Sequence, residues 1–197
     1  MFQKRIIVLL ASAFAALRGQ TIVIPPMPAD LQAPPGNTAY LKAQATGTQN
    51  YVCLPSAGGL AWKFQGPQAT LFLTYKWFGG EIRQQVTTHY LSPNPGEAGN
   101  PARATWQSSL DTSAVWAKKV AETADPAYVA PGAIPWLKLQ VVGAENGPSG
   151  SSLLSKTTFI QRVNTAGGVA PTTACTDAGA IVFVPYTTDY VFYRAAH

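Results

Sequence analysis

The sequence predicts an all-β domain, an antiparallel sandwich or barrel of about ten short strands, preceded by an extended Pro-rich amino-terminal arm. Of its 197 residues, 12% are charged and 47% are hydrophobic, and there are 17 glycines and 16 prolines. Low charge together with many turn-forming residues disfavours a helical protein. Apolar runs separated by turn signals roughly every eight to twelve residues favour a sandwich or barrel instead.

Residues 1–20 have the pattern of a secretory signal peptide, with a basic start, an apolar run and small residues suited to cleavage. The apolar run at residues 6–17 is too short to span a bilayer. We therefore expect a secreted, extracellular protein that has no membrane span once the leader is removed. Its 14 basic residues fall to 11 without the leader, against nine acidic ones. Only Lys118 and Lys119 remain as a basic pair, so nucleic acid is not an expected partner.

Residues 21–36 contain IPPMPADLQAPPG, which is too rich in proline for a helix and predicts an extended arm. A single β-rich domain is expected at residues 37–197. Residues 39–46 alternate between apolar and polar and predict a strand that Gly47 ends. A short helix capped by Asn37 is the alternative, because Ala, Leu, Lys and Gln favour helix.

The remaining strands follow from period-two alternation bounded by turn residues. Residues 131–168 predict a long hairpin, because alternating runs flank the turn-rich segment 143–152. Gly66 and Pro67 separate two strands, and residues 92–101 (SPNPGEAGNP) predict a loop. The other strands are predicted at residues 49–54, 60–64, 69–75, 81–91, 103–108, 113–119, 180–184 and 187–193.

The chain has two cysteines, Cys53 and Cys175. An even pair in an exported chain predicts one disulfide, here between an early strand and a late loop. The alternative is two separate buried thiols. A loop of this length contributes about 4–5 kcal/mol in the chain-entropy model.

Metal, cofactor and catalytic motifs are sparse. Apart from His197, the only histidine is His89, and the carboxylates are not clustered, so no metal site is expected. No G-x-G-x-x-G follows a strand, which argues against NAD and leaves no expected cofactor. A catalytic triad would have to use His89, with Asp111 as the orienting carboxylate. A single histidine on a strand is more often structural.

Aromatic residues and one arginine are the candidate ligand-binding residues. The sequence has five tryptophans and eight tyrosines, which can stack on the apolar face of a sugar or fill a core. We select Trp77, at a hairpin tip, together with Trp106, Trp136 and Arg162. Arg162 lies mid-strand and needs a partner, because an unpaired buried charge is costly. A carboxylate such as Asp189 or Asp111 would give it a structural role, and an anionic ligand group would give it a binding role.

The chain resembles a family of exported bacterial and fungal proteins that carry a domain of unknown function. The resemblance covers nearly the whole chain after the leader and rests on GTQNYVC at 47–53, AIPWL at 133–137, IQRVNTAGG at 160–168 and VPYTTDY at 184–190. It implies export and a single β-rich domain, and it implies no activity. Members are sometimes labelled malate dehydrogenase, which conflicts with the missing nucleotide fingerprint.

These observations predict a cell-surface or cell-wall binding or structural module, with carbohydrate as the expected ligand. A cell-wall glycan or a surface protein is the expected partner. The alternative is a secreted hydrolase built around His89, Trp106, Asp111 and Arg162. A pocket that brings His89 within hydrogen-bond reach of Asp111 would favour the enzyme, whereas a flat row of exposed aromatics would favour binding.

Overall fold

In the computed structural model, which describes residues 22–196, eight antiparallel strands close into a barrel. Consecutive strands are neighbours, and β1 pairs with β8 to complete the ring. The predicted all-β class is confirmed, in its barrel form. The strands are β1 (Asn37–Ser56), β2 (Gly59–Trp77), β3 (Gly80–Pro93), β4 (Ala102–Ser108), β5 (Ala114–Thr123), β6 (Trp136–Glu145), β7 (Thr157–Gly167) and β8 (Ile181–Ala195).

The strands are fewer and longer than predicted, because three pairs of predicted strands merge. Residues 39–54 belong to β1, residues 60–75 to β2 and residues 181–193 to β8. Gly47 does not end β1: a Cβ at this position would overlap the Gln68 carbonyl and Ala69, so glycine lets β2 cross closely. Gly66 and Pro67 do not break β2 either, because a register shift at Asn50 and Tyr51 of β1 accommodates them. The helix considered for residues 39–46 is therefore wrong.

The barrel has two distinct ends. The disulfide end carries the connections β1–β2, β3–β4, β5–β6 and β7–β8, and it includes the Cys53–Cys175 disulfide, which confirms the predicted pairing. The termini end carries the other connections and the outer ends of β1 and β8, where Asn37 pairs with Ala195. The hairpin predicted at residues 131–168 is confirmed as β6 and β7.

Two apolar clusters lie on opposite sides of the barrel wall. The inner cluster fills the barrel and includes Leu41, Ala43, Ala45, Leu71, Trp106, Ile160, Tyr190 and Phe192. The outer cluster packs residues of the arm and of the β5–β6 connection against the outside of β6, β7 and β8; it includes Leu31, Val129, Trp136, Val163, Val191 and Tyr193. Because β8 is covered on both faces, its segment YVFY is apolar without alternation.

The arm at residues 22–36 lies along this wall, with one 3₁₀ turn at Ala29–Leu31. Leu31 is fully buried, and its carbonyl accepts a hydrogen bond from Gln161 of β7 (2.7 Å). The predicted signal peptide lies outside the described residues. Within residues 22–196, no helix has the length and apolar character needed to cross a membrane.

Candidate ligand-binding cavity

A cavity of about 450 Å³ occupies the half of the barrel nearer to the disulfide end. An eight-stranded barrel is just wide enough to be filled by side chains or to hold one small ligand. Here the inner cluster fills the other half, and the cavity remains above it. Its polar lining includes Gln49, His89 and Arg162, and its apolar lining includes Phe64, Leu91, Leu137 and Leu139.

Aromatic rings form the floor of the cavity. The rings of His89 and Trp106 are stacked, with centroids 4.1 Å apart and planes inclined by 9°. Tyr190 meets both rings edge-on, at 5.2 Å from His89 and 5.3 Å from Trp106. Their strand positions explain the arrangement, since His89 on β3 is the register partner of Trp106 on β4. The floor is therefore fixed by backbone pairing.

His89 is buried and neutral at physiological pH. Its Nδ1 lies 2.9 Å from the carbonyl oxygen of Thr105, which can only accept, so Nδ1 carries the proton. Burial lowers the pKa of His89 to about 3; the bond to Thr105 opposes this shift, and the charge of Arg162 adds to it. The imidazole therefore offers an uncharged, flat surface, and Nε2 is its free acceptor.

Several buried polar atoms at or beside the cavity have no well-formed hydrogen bond to the protein. Seven buried side-chain nitrogens or oxygens have no hydrogen bond to any residue in the range 22–196. Four of them are Gln49 Nε2, Trp106 Nε1, Tyr186 Oη and Tyr190 Oη, on side chains that are at most 2% exposed. Buried polar groups are normally paired, and each unpaired one costs about 1–3 kcal/mol. Gln49, Trp106 and Tyr190 line the cavity, and Tyr186 adjoins Tyr190 outside the lining, so a bound ligand can complete the hydrogen bonds of the three lining groups.

Tyr186 lies close enough to Gln49 and Tyr190, and Tyr190 close enough to Arg162, for their side chains to interact, although these contacts do not have good hydrogen-bond geometry. Burial raises the pKa of Tyr186, and the adjacent Tyr190 raises it further, whereas Arg162 and Gln49 oppose the shift. Burial likewise raises the pKa of Tyr190, while Arg162 and Tyr186 lower it. Both phenols consequently keep their protons and can donate hydrogen bonds at any physiological pH.

Arg162 lines the cavity and has no carboxylate partner among residues 22–196. Its Nε and Nη2 both donate to the carbonyl oxygen of Pro135, at 3.1 and 2.8 Å. The carboxylate partner predicted for it is wrong, because Asp189 pairs with Lys42 (3.1 Å) and accepts from Asn164 (2.9 Å). The guanidinium also interacts with the Tyr190 hydroxyl, and because it has five N–H groups, the others can donate to a ligand.

The cavity is lined by positive charge. Arg103, Lys118, Lys119 and Arg162 contribute to its walls, and no carboxylate does so in the described part of the chain. Arg103 is paired with Glu97 (2.5 Å), and Lys119 with Glu122 (2.7 Å). The pKa of Glu97 falls to about 2, chiefly because Arg103 and then Asn94 donate to it. Lys118 and Arg162 carry the charges that remain unneutralised.

The two residues considered for a hydrolase are at different ends of the barrel. Asp111 lies in the β4–β5 turn at the termini end, where it accepts from Ser113 Oγ (2.7 Å) and Leu153 N (2.9 Å). Burial raises the pKa of Asp111, but these bonds and those of its turn outweigh that effect and lower it overall. His89 instead donates to Thr105, so the geometry does not form the His89–Asp111 pair.

The four predicted binding residues separate into two groups. Trp106 and Arg162 both line the cavity. Trp136 is 5% exposed and packs in the outer cluster, 6.0 Å from the ring of Tyr128. Trp77 ends β2, and its side chain lies outside what the structure describes. Trp62 donates to the carbonyl of Thr173 and Trp116 to Ser92 Oγ, so these tryptophans do not form the flat exposed row expected for a binding surface.

Sequence reasoning missed Gln49, Tyr186 and Tyr190 as site residues. All three belong to motifs that carried the family resemblance, Gln49 in GTQNYVC and the tyrosines in VPYTTDY. The alternation of Tyr186, Thr188 and Tyr190 along β8 was the available signal, because residues two apart share a face. Within residues 22–196 no group of three or more His, Cys, Asp or Glu side chains could hold a metal ion.

Comparison with known proteins yields one match. No curated protein and no solved structure is significantly similar to this chain. A family described as a protein of unknown function (DUF3455) matches residues 34–194, which includes β1 to β7 and all but the last residue of β8 and leaves out most of the arm. Over that span the chain belongs to this family of proteins of unknown function, DUF3455.

Proposed function

We propose that this protein is an exported binding domain that takes a small ligand into its barrel. The observation that carries the proposal is the convergence of Gln49, Trp106, Arg162 and Tyr190 on a cavity of about 450 Å³, three of them with a buried polar atom that lacks a well-formed protein hydrogen bond. Ligand pockets of this size, mostly apolar with a few convergent polar groups, are the usual form of small-molecule sites. Export is supported by the disulfide, since such bonds persist in oxidising compartments.

Binding is preferred to hydrolysis for a chemical reason. A hydrolase needs a nucleophile or an activated water beside a positioned base. His89 uses its proton on Thr105 and has a pKa of about 3, which makes it a poor base at neutral pH. Asp111 is held in a distant turn. Stacking, donation and shape complementarity are what the cavity offers.

Carbohydrate is one ligand class to test, but as a small sugar rather than a polymer. The sequence suggested a cell-wall polymer lying on exposed aromatics. The buried position of Trp106 instead favours a mono- or disaccharide, or another small molecule, enclosed by the barrel. A polymer chain would have to enter the cavity by one of its ends.

A thermal-shift panel tests the proposal. The purified disulfide-bonded domain is screened against monosaccharides, disaccharides, cell-wall fragments and small organic acids. A ligand at about 100 times its Kd stabilises the folded state by about 2.7 kcal/mol, a shift of several degrees for a domain of this size. We expect at least one class to give such a shift, and a panel in which no class moves the Tm would contradict the proposal.

A cavity-filling variant locates the binding. Ala104→Leu adds volume to the cavity wall, so we expect it to abolish the shift. Ala61→Leu is the matched control, because Ala61 lies on β2 outside the cavity lining and the same change there should leave the shift intact. A shift that survives Ala104→Leu would place the ligand elsewhere.

A further inference from the structure

We infer that the ligand of the barrel cavity is an organic carboxylate with a flat apolar body, and that Arg162 binds its carboxylate group. This inference rests on the proposed binding function and specifies its ligand class. It follows from the balance of donors and acceptors, the charge of the lining and the shape of the floor.

The polar groups of the cavity are mainly donors. Trp106 Nε1 and Gln49 Nε2 can only donate, and Arg162 has no acceptor at all. The hydroxyl of Tyr190 keeps its proton and can donate as well. A ligand that satisfies them must present several acceptor lone pairs within a small volume. A carboxylate, whose two oxygens accept about four hydrogen bonds, meets this demand better than a sugar hydroxyl, which also needs acceptors of its own.

The charge of the lining selects an anion. Arg162 is half-buried, and no carboxylate neutralises it within residues 22–196. Lys118 adds a second positive charge at the cavity wall, and the negative charges of Glu97 and Glu122 are already engaged by Arg103 and Lys119. A cleft lined by one sign of charge concentrates ligands of the opposite sign. A planar guanidinium also matches the geometry of a carboxylate.

The remaining lining suits a flat apolar body. The stacked rings of His89 and Trp106 present a planar floor, with Tyr190 edge-on beside it. Phe64, Leu91 and Leu137 line the walls. Because His89 is neutral, the floor does not attract a second charged group. One end of the ligand is thus anionic, and the rest is ring-like and uncharged.

Matched ligand pairs test the inference by calorimetric titration of the intact domain. One pair is 2-naphthoate and 2-naphthamide, which share a ring and differ in charge. The other is D-galacturonate and D-galactose, so the two pairs distinguish an aromatic acid from a sugar acid. We expect the carboxylate of at least one pair to bind about 10-fold or more tightly than its neutral partner, as a charge-assisted hydrogen bond predicts. Equal binding of the acid and its neutral partner within both pairs would overturn the carboxylate inference and leave the binding function standing.

Arg162 variants test the residue assignment. Arg162→Gln should weaken the preferred carboxylate about 10-fold or more and change its neutral partner by less than about 2-fold. Arg162→Lys keeps the charge but loses the fork, so an intermediate loss is expected, and this variant serves if Arg162→Gln does not fold. Lys156→Gln, which removes a charge outside the cavity lining, is the control. An unchanged carboxylate affinity in both Arg162 variants would contradict the assignment.

The carboxylate inference is also tested if no probe binds. If none of the four probes binds the wild type with a Kd below roughly 10 mM, about 2.7 kcal/mol of binding free energy, the carboxylate inference fails. The binding function would then depend on the thermal-shift panel, which includes neutral ligands. Failure of the panel as well would remove both.

Discussion

Two buried glutamines on opposite sides of the barrel wall have contrasting environments. Gln161 points outward from β7 and is 1% exposed; its amide donates to the Leu31 carbonyl (2.7 Å) and accepts from Tyr193 Oη (2.6 Å). Gln49 lines the cavity and is 2% exposed, but its Nε2 makes no well-formed hydrogen bond to residues 22–196 and its side chain only approaches Tyr186. The same side chain is a structural link in the outer cluster and an open donor in the cavity.

The contrast extends to the neighbours of each glutamine. Thr165 Oγ1 donates to the Ile134 carbonyl (2.6 Å), which ties β7 to the connection before β6. Trp136 Nε1 is an exception in the outer cluster. On the inner face, Thr188 Oγ1 donates to the Val163 carbonyl (2.7 Å), but Gln49, Trp106 and Tyr190 lack such well-formed bonds. We therefore expect Gln161 to contribute mainly to stability and Gln49 mainly to binding.

The largest effect on stability is expected for Gln161→Leu. The change leaves the Leu31 carbonyl and the Tyr193 hydroxyl without partners, which costs about 2–4 kcal/mol in total. Chemical denaturation measures the loss, and Gln140→Leu, at an exposed position of β6, is the control. Ligand affinity should not change. A loss below about 0.5 kcal/mol, as for an ordinary surface site, would contradict the structural role of Gln161.

The next effect is a pH dependence that His89 causes. The pKa of His89 is about 3 in the folded protein, below the ordinary value of 6.5, so the unfolded chain binds more protons. Stability is therefore complete above about pH 6.5 and falls as the pH drops towards 3, by up to about 1.4 kcal/mol per pH unit.

Unfolding free energies at pH 8, 6.5 and 5 measure this slope. His89→Asn, which keeps a donor but does not titrate, should lack it. Keeping the pH at 5 or above separates His89 from Glu97 and Asp111, whose lowered pKa values make their contributions disappear only at more acidic pH. An identical slope in the two proteins would mean that another group is responsible.

A smaller loss is expected for Arg162→Ala. The sequence suggested a buried ion pair, whose disruption costs about 3–5 kcal/mol. The structure shows two bonds to Pro135 and a contact with the Tyr190 hydroxyl in place of an ion pair, so we expect about 1–2 kcal/mol. Thermal unfolding beside the wild type decides between the two values. A loss of 3 kcal/mol or more would make Arg162 a structural residue and weaken its place in the cavity.

The smallest effect on stability is expected for Gln49→Leu. The Nε2 group that is removed makes no well-formed hydrogen bond and interacts only with Tyr186, so the free energy of unfolding should change by less than about 1 kcal/mol. Binding of the cavity ligand should weaken even so. Equal losses of stability in Gln49→Leu and Gln161→Leu would show that both glutamines have a structural role.

The sequence allowed the fold class, the β6–β7 hairpin and the disulfide to be predicted, because alternation, turn residues and paired cysteines are local or compositional signals. The number of strands was harder to predict. Gly47 and Pro67 are residues that normally end a strand, but contacts with the neighbouring strand keep them within β1 and β2. The cavity was only partly predictable: Trp106 and Arg162 were selected by type, whereas Gln49 and Tyr190 become site residues only once the sheet closes.

The Cys53–Cys175 disulfide also determines how the domain responds to mechanical force. Its partners are 122 residues apart in the chain, so pulling on the two ends of the domain cannot extend the chain between them. At about 3.4 Å per residue, roughly 400 Å of contour length is withheld while the bond is intact. Tension first separates β1 from β8, which are paired at the termini end and open one residue pair at a time. The strands β2 to β7, with most of the cavity wall, are released only after reduction.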